Sequence, residues 1–357
     1  MPRNSILDYF LENAEHHGAR TAALVKRDGA YREVTWKEMG DEARKISAGL
    51  VALGLQTGDR VCIMSNTRLE WVNIDMGILG AGAVTVSIYP SLLADECSFI
   101  TENCGASAVF VEDEAQTDKF LSEKSKLPNV KKVIQMTGAI TSQASSKDDW
   151  VLAYADLLKM GIDDPAKLEA RRKSLTKDSV ATLMYTSGTT GKPKGVVLTH
   201  DALLYQAEVI TQIDLVRQDD VQLLFLPLAH SVAKVLEIAW LATRHVMAFA
   251  ESMTTVTDNL GETRPTLMAG VPRIYEKFHA AVVAQGTAGG GLKAKLFTAA
   301  CEMSQKHGEA EIAGKSTGAV DAVKWAVLKK VIFAKVGAGL RQMLGGRMRV
   351  MISGGAP

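Results

Sequence analysis

Apolar positions recur along this chain with two periods, one helical and one extended. Leu7, Phe10, Leu11 and Ala14 share one helical face, with Ser5 placed to cap that helix and Gly18 to stop it. Two short strands then meet at Asp28-Gly29, a dipeptide suited to the positive φ angles of a tight hairpin. Thr35-Trp36-Lys37-Glu38 has the form of a capping box and opens a helix that Gly54 closes. From Arg60 the pattern becomes strand, helix, strand, repeated: VCIM, a helix through Trp71 and Leu79, VTVSIY, a helix through Cys97 and Ile100, ASAVFV, a helix through Phe120, and VKKVIQM. Apolar strands alternating with helices predict a parallel sheet covered on both faces.

Thr141 to Asp149 is polar and reads as a surface loop, and Asp164 to Lys173 is helical and rich in charge. A second alternation follows. Val180 to Met184 and Gly195 to Thr199 read as strands, Thr199 or His200 caps a helix from Asp201, and VQLLFLP is a strand. Ser231 begins a helix through Trp240, HVMAFA and TLMAGV are strands, and Pro272 takes the first position of a helix carrying Ile274, Phe278 and Val282. The expected fold is α/β, with two stacked subdomains and largely parallel sheets. Beyond a break at Thr287 to Gly291 lie a helix through Phe297 and Met303 and a longer one from about Gly318 to Leu344. The longer one sets Val320, Val327 and Val331 against Lys324, Lys329, Lys330, Lys335 and Arg341, a pattern that suits packing through an apolar stripe or weak peripheral contact with an anionic membrane. RMRVMIS reads as a buried strand followed by a turn signal, so the sequence is expected to be the N-terminal part of something larger.

Composition narrows the function classes. The chain has 357 residues, 47% hydrophobic and 23% charged, which fits an ordinary globular protein with more than one core. A formal net charge of +1 gives no electrostatic case for nucleic acid. Cys62, Cys97, Cys104 and Cys301 form no CxxC pair and sit among apolar neighbours, as expected of buried free thiols in a reducing compartment. Asn73 and Asp75 interrupt the best candidate for a membrane span, and no signal peptide opens the chain, so the expected location is cytoplasmic.

The candidate chemistry lies in YTSGTTGKPKG, Tyr185 to Gly195, which connects two predicted strands. Gly188, Gly191 and Gly195 permit backbone angles that let successive N–H groups converge on an anion. Thr186, Ser187, Thr189 and Thr190 add hydroxyls and Lys192 and Lys194 add positive charge, which together suit a polyphosphate. It is not a Walker loop: two residues rather than four separate Gly188 from Gly191, Pro193 follows Lys192, and a strand rather than a helix comes next. Neither Gly80-Ala81-Gly82 nor Gly337-Ala338-Gly339 completes a dinucleotide fingerprint, since Thr85 and Gln342 stand where the third glycine belongs.

At these residues the chain resembles the adenylate-forming superfamily of acyl-CoA synthetases, luciferases and peptide-synthetase adenylation domains, whose phosphate-loop signature YTSGTTGKPKG matches at every position. LGAGAVTVSIYPS (Leu79 to Ser91), LPLAHS (Leu226 to Ser231), GVPRIYEKF (Gly270 to Phe278) and SGGAP (Ser353 to Pro357) agree in order, and the wording is most like the long-chain fatty acid CoA ligases. The resemblance implies activation of a fatty acid by ATP with Mg²⁺ to an acyl-adenylate, then thioester formation with coenzyme A. It implies triphosphate contacts at Thr186, Ser187, Gly188, Thr189, Thr190 and Gly191, with Thr190 also near Mg²⁺ and Lys194 as catalytic charge partner. His230 would stand beside the acyl carboxylate, with Val235, Ala239, Gly270 and Val271 along the acyl tunnel and Gly354, Gly355, Ala356 and Pro357 against adenine. It further implies residues 60–199 as one α/β subdomain and 1–59 with 200–357 as the other. The family's Mg²⁺-binding Glu, ribose-binding Asp and small C-terminal domain with its catalytic Lys have no counterpart in these residues, so the chain alone is expected to be inactive. An acyl-AMP ligase that loads a carrier protein, and a non-catalytic nucleotide- or acyl-binding module, remain the alternatives.

Overall fold

The structure is a computed structural model that describes residues 3–140, 149–161, 164–186, 191–288, 290–314, 318–328, 330 and 334–355. Residues 141–148 of the expected polar loop, residues 187–190 of the phosphate loop, and Gly289, Lys329, Val331, Ala356 and Pro357 lie outside the described residues. The chain divides into two compact units, 1–253 and 254–357.

In the first unit the strands are β1 (Thr21–Arg27), β2 (Ala30–Thr35), β3 (Arg60–Met64), β4 (Val84–Ile88), β5 (Ala106–Val111), β6 (Lys132–Gln135), β7 (Val151–Ala153), β8 (Val180–Thr186), β9 (Lys194–Thr199), β10 (Val221–Leu224) and β11 (Val246–Phe249). Seven of them form one sheet in the order β7-β6-β5-β3-β4-β8-β9, parallel except for the antiparallel pair of β8 and β9. Its central strands bury both faces, and Cys62, Met64, Val86, Ile88, Val109 and Val111 pack with Ile100 and Phe120 of the covering helices. That is why these strands read as continuous apolar runs. β10, β11, β1 and β2 lie side by side in a second, mixed layer, parallel from β10 to β1 and closed by the antiparallel β1–β2 hairpin. Asp28 and Gly29 turn that hairpin with φ of 50° and 75°, the geometry the dipeptide predicts.

Local signals set the helices. Ser5 precedes Ile6–His16, and Asp8 reaches back to the Ser5 N–H at 2.9 Å. Thr35 caps Trp36–Ala52 with Glu38 returning to its N–H at 2.7 Å, the predicted capping box. This helix packs tightly on Leu69–Gly80: a Cβ at Gly77 would lie 2.6 Å from the Ile46 side chain, and Ser47 Oγ donates to the Gly77 carbonyl at 2.8 Å. Trp36 stacks near Trp240 of the helix Ser231–Thr243 at 5.1 Å between centroids, and Trp240 continues to Phe249 on β11 at 6.0 Å. These aromatic contacts carry helix 36–52 onto the second layer.

The second unit holds the helices Val256–Thr263, Pro272–Thr287, Gly291–Ile312, Ala319–Leu328 and Ala334–Met343, with β12 (Leu267–Gly270) and β13 (Val350–Ser353) paired in parallel. Tyr275 Oη donates to the Ile352 carbonyl at 2.7 Å, so the helix that Pro272 opens is pinned to β13.

Several expectations change. β7, the helix Tyr154–Met160 and the helix Val256–Thr263 appear in stretches to which the sequence reading assigns no element. VQLLFLP stays extended in the sheet only to Leu224; of the span expected as one helix from Gly318, Ala319–Leu328 and Ala334–Met343 are helical, and Lys329 and residues 331–333 between them lie outside the described residues. β13 is half-exposed rather than buried, with Met351 50% accessible, because it has only β12 beside it among the described strands. Cys62 and Cys97 are buried free thiols, whereas Cys104 and Cys301 are only partly covered. Among the described residues no helix is long and apolar enough to cross a membrane.

Candidate functional site

The predicted phosphate loop spans the turn between β8 and β9. Thr186 ends β8 and is register partner to Lys194, which begins β9, and both are exposed at the mouth of the hairpin. The hairpin is held from below. Tyr185 is buried and donates from Oη to Asn103 Oδ1 at 2.6 Å, and burial pushes its phenol up to about 12, so it remains a neutral donor. A Cβ at Gly195 would stand 3.1 Å from the Tyr185 ring, so glycine there lets β9 close over the aromatic face. Gly191 has φ of +88°, a left-handed backbone conformation that favours glycine. Lys192 Nζ lies 5.4 Å from the Phe99 ring, a cation–π contact that draws it onto the protein surface.

LPLAHS leaves β10 and ends at the helix Ser231–Thr243, with His230 as its N-cap. His230 Nδ1 accepts from the Val232 N–H at 3.2 Å, which leaves Nε2 for any ligand. The histidine is half-buried, so its structural role as a cap and a role at a site are compatible. Thr67, in the loop after β3, bridges to this segment: its Oγ1 donates to the Leu226 carbonyl at 2.7 Å and accepts from the Leu228 N–H at 3.2 Å. Val235 is half-buried and Ala239 buried on the same helix.

In the second unit Gly270 ends β12 and its carbonyl accepts the Gly354 N–H at 3.2 Å. The expected acyl and adenine segments are thereby neighbours, with Val271 half-buried beside them and Gly355 turning at φ +79°. Ala356, Pro357 and the four loop residues Ser187, Gly188, Thr189 and Thr190, including the Mg²⁺ candidate Thr190, lie outside the described residues. No group of three or more His, Cys, Asp or Glu side chains among the described residues is placed to hold a metal ion. The groove of about 1360 Å³ beside helix 6–16 is lined by Arg3, Lys37, Arg44 and Arg172 alongside acidic partners, and none of the predicted site residues lines it. Thr67, Tyr185 and the buried charges Asp75, Lys234 and Glu237 were not among the residues expected to matter.

The chain belongs to the AMP-binding enzyme family, whose profile matches residues 10–357. It is 33% identical over 332 residues to the long-chain-fatty-acid–CoA ligase FadD15 of Mycobacterium tuberculosis, covering 92% of this chain and 53% of that protein. It is 32% identical over 333 residues to the peroxisomal long chain acyl-CoA synthetase 6 of Arabidopsis thaliana, covering 92% and 45%. The chain therefore spans about half the length of the curated relatives it matches. In fold it is similar to the A domain of carboxylic acid reductase from Segniliparus rugosus, with a TM-score of 0.71 at 16% identity over 99% of this chain and 56% of that one. The anthranilate CoA ligase AuaEII matches with a TM-score of 0.69 at 20% identity, over 80% and 52%.

Proposed function

We propose that this chain is the phosphate-binding and acyl-binding part of a long-chain fatty acid CoA ligase, which joins a fatty acid to AMP from ATP and then to coenzyme A. The observation that carries the reading is the β8–β9 hairpin, where Thr186 and Lys194 flank a glycine-rich turn and Tyr185 fixes the base. Its donor set fits a triphosphate: hydroxyls, a positive-φ glycine and an exposed ammonium. Thr186, Ser187, Gly188, Thr189, Thr190 and Gly191 would hold the phosphates, with Thr190 toward Mg²⁺, which when bound neutralises phosphate charge. Lys194 would offset negative charge that moves onto pyrophosphate as the carboxylate attacks, and Gly354 and Gly355 would back adenine. His230 would present Nε2 to the acyl carboxylate, with Val235, Ala239, Gly270 and Val271 in apolar contact with the chain. The long-chain ligases among the relatives favour a fatty acid over an amino acid. We further propose a cytoplasmic location with at most peripheral membrane contact.

Calorimetry of the 357-residue chain with ATP and Mg²⁺, run beside a CoA-consumption assay with dodecanoate, tests this. Binding should be weak, about −5 kcal/mol or a Kd of hundreds of micromolar, because a triphosphate in an open cleft is screened by water. Lys194→Ala should abolish measurable binding, and these residues by themselves should make no acyl-CoA. In an active ligase that carries this chain, Lys194→Ala should slow pyrophosphate exchange about a hundredfold, the effect of losing one contact worth about 3 kcal/mol in the transition state. Exchange within a few-fold of the parent, or acetate preferred to dodecanoate, would refute the reading.

A further inference from the structure

Three ionisable side chains meet in the first unit where helix 69–80 lies against helix 231–243. Lys234 is 4% exposed, and Asp75 and Glu237 are 0% exposed. Lys234 Nζ donates to Asp75 Oδ2 and, at 3.0 Å, to Glu237 Oε2, and it sits 5.8 Å from the centroid of the Trp71 ring. The charges do not balance if all three ionise: one ammonium would face two carboxylates and leave a net negative charge sealed from water. A buried charge without a partner is far more costly than a neutral carboxyl, so such a site takes up a proton instead. Asp75 Oδ1 and Glu237 Oε1 also have no hydrogen-bond partner among the described residues, so each carboxyl keeps an oxygen free to carry that proton.

We propose that Asp75 and Glu237 hold one proton between them, so that the Lys234 cluster is a neutral, buried proton-binding site that fastens helix 69–80 to helix 231–243 and loosens when the proton leaves. Helix 231–243 is the one His230 caps, and the Lys234 N–H bonds the His230 carbonyl at 3.1 Å, so loosening here acts one turn from the candidate site. Burial pushes Glu237 up to about 8, with the Lys234 charge opposing and the Asp75 charge adding. Among the described residues His200 of the helix His200–Gln212 also faces the cluster, itself buried and acted on by Asp75, by Asp8 of helix 6–16 and by Lys234. Burial lowers His200 to about 4, so it stays neutral wherever Glu237 titrates.

The sign follows from linkage. Glu237 has a folded pKa above its ordinary carboxylate value, so between the two the folded chain holds the extra proton and loses stability as pH rises toward about 8. His200 and His245, both lowered to about 4, act in the opposite sense but only below about pH 6.5. Cys62 and Cys97 are raised by burial and add a further decline only above the ordinary thiol range near 8.5. Cys104 is lowered, chiefly by its hydrogen bond with Cys62, and acts in the opposite sense below the ordinary thiol range, so the Glu237 contribution is read as the difference in slope between the wild type and Glu237→Gln.

Urea unfolding of the full chain between about pH 6.5 and 8 tests the proposal. Relative to Glu237→Gln, the wild type should lose about tenfold in its folding equilibrium constant per pH unit, the slope of one proton. Glu237→Gln, whose amide can donate where the carboxyl proton did without taking a proton from solvent, should flatten the slope and be more stable than the wild type across the window, by a margin that widens as pH rises. Infrared difference spectra of the wild type should show a protonated carboxyl C=O band at pH 7 that is gone by pH 9.5, a readout that needs no variant to fold. A wild type without that band at pH 7, or a Gln variant with the wild-type slope, overturns the proposal.

Discussion

Replacing Thr67 with Val should destabilise the first unit by about 2 kcal/mol, although Thr67 and the loop it supports are far apart in sequence. The hydroxyl donates to the Leu226 carbonyl at 2.7 Å and accepts from the Leu228 N–H at 3.2 Å, and both leucines are buried, at 5% and 1% exposure. Valine keeps the shape and removes both bonds. The shorter bond is worth about 1.5 kcal/mol and the longer, weaker one about 0.5 kcal/mol, once the cost of leaving backbone groups unpaired is included. A loss of about 2 kcal/mol is a fall of roughly thirtyfold in the folding equilibrium constant. Urea denaturation followed by tryptophan fluorescence measures it, with Trp71 and Trp240 buried and reporting on both layers. Thr67→Ser separates hydrogen bonding from packing, since it keeps the hydroxyl and removes only a methyl group, costing at most about 0.8 kcal/mol. If Thr67→Val were as stable as Thr67→Ser, the bridge would contribute nothing and LPLAHS would be positioned by apolar packing alone.

Two other perturbations follow from the same contacts. Gly77→Ala would place a Cβ 2.6 Å from Ile46, and the overpacking, about 1–3 kcal/mol, should outweigh the roughly 1 kcal/mol alanine gains in helix propensity; calorimetric melting should show a lower Tm, partly recovered relative to additivity in the Gly77→Ala, Ile46→Ala double variant. Acid should unfold the chain through His200 and His245, each buried and lowered by desolvation to about 4: their contribution is complete above about pH 6.5 and is lost as pH falls through 4, so unfolding midpoints should drop steeply there, and His245→Gln should remove one proton from the uptake measured across that range.

Signals confined to a few residues were legible in the sequence. The capping box at Thr35, the turn at Asp28-Gly29 and the helix opened by Pro272 each depend on side chains within three or four positions, and each stands where the pattern placed it. The alternation from β3 to β6 was equally plain, because strands buried on both faces are mostly apolar and keep their charged residues, Arg60 and Lys132, at their first positions. β7 was not, since a three-residue strand gives periodicity nothing to work on and is defined by its pairing with β6. The order of the sheet was not legible either: β3 lies between β5 and β4, a consequence of crossovers that no local pattern records.

Polar contacts between distant segments were the main omission, and the reason is physical rather than statistical. Asp75 registers in the sequence only as an interruption of an apolar helix, and Lys234 as a cation in SVAKVLEIAW, yet each is a charge on a helix whose other neighbours are buried. A charge in such a place must find an opposite charge or give up its own. Two such helices in one chain are therefore a reason to expect that they meet, and Lys234 and Asp75 do meet, 159 positions apart. What periodicity withholds is the count. Glu237 lies three residues beyond Lys234, the spacing at which a surface helix forms an ordinary exposed ion pair, and only the burial of all three groups turns that pair into a site with one carboxyl too many. The same logic applies to Thr67, whose hydroxyl is ordinary in a loop until Leu226 and Leu228 are seen to have backbone groups turned toward it. Local pattern thus fixes which elements form, while unpaired polar groups on buried elements determine which of them must touch.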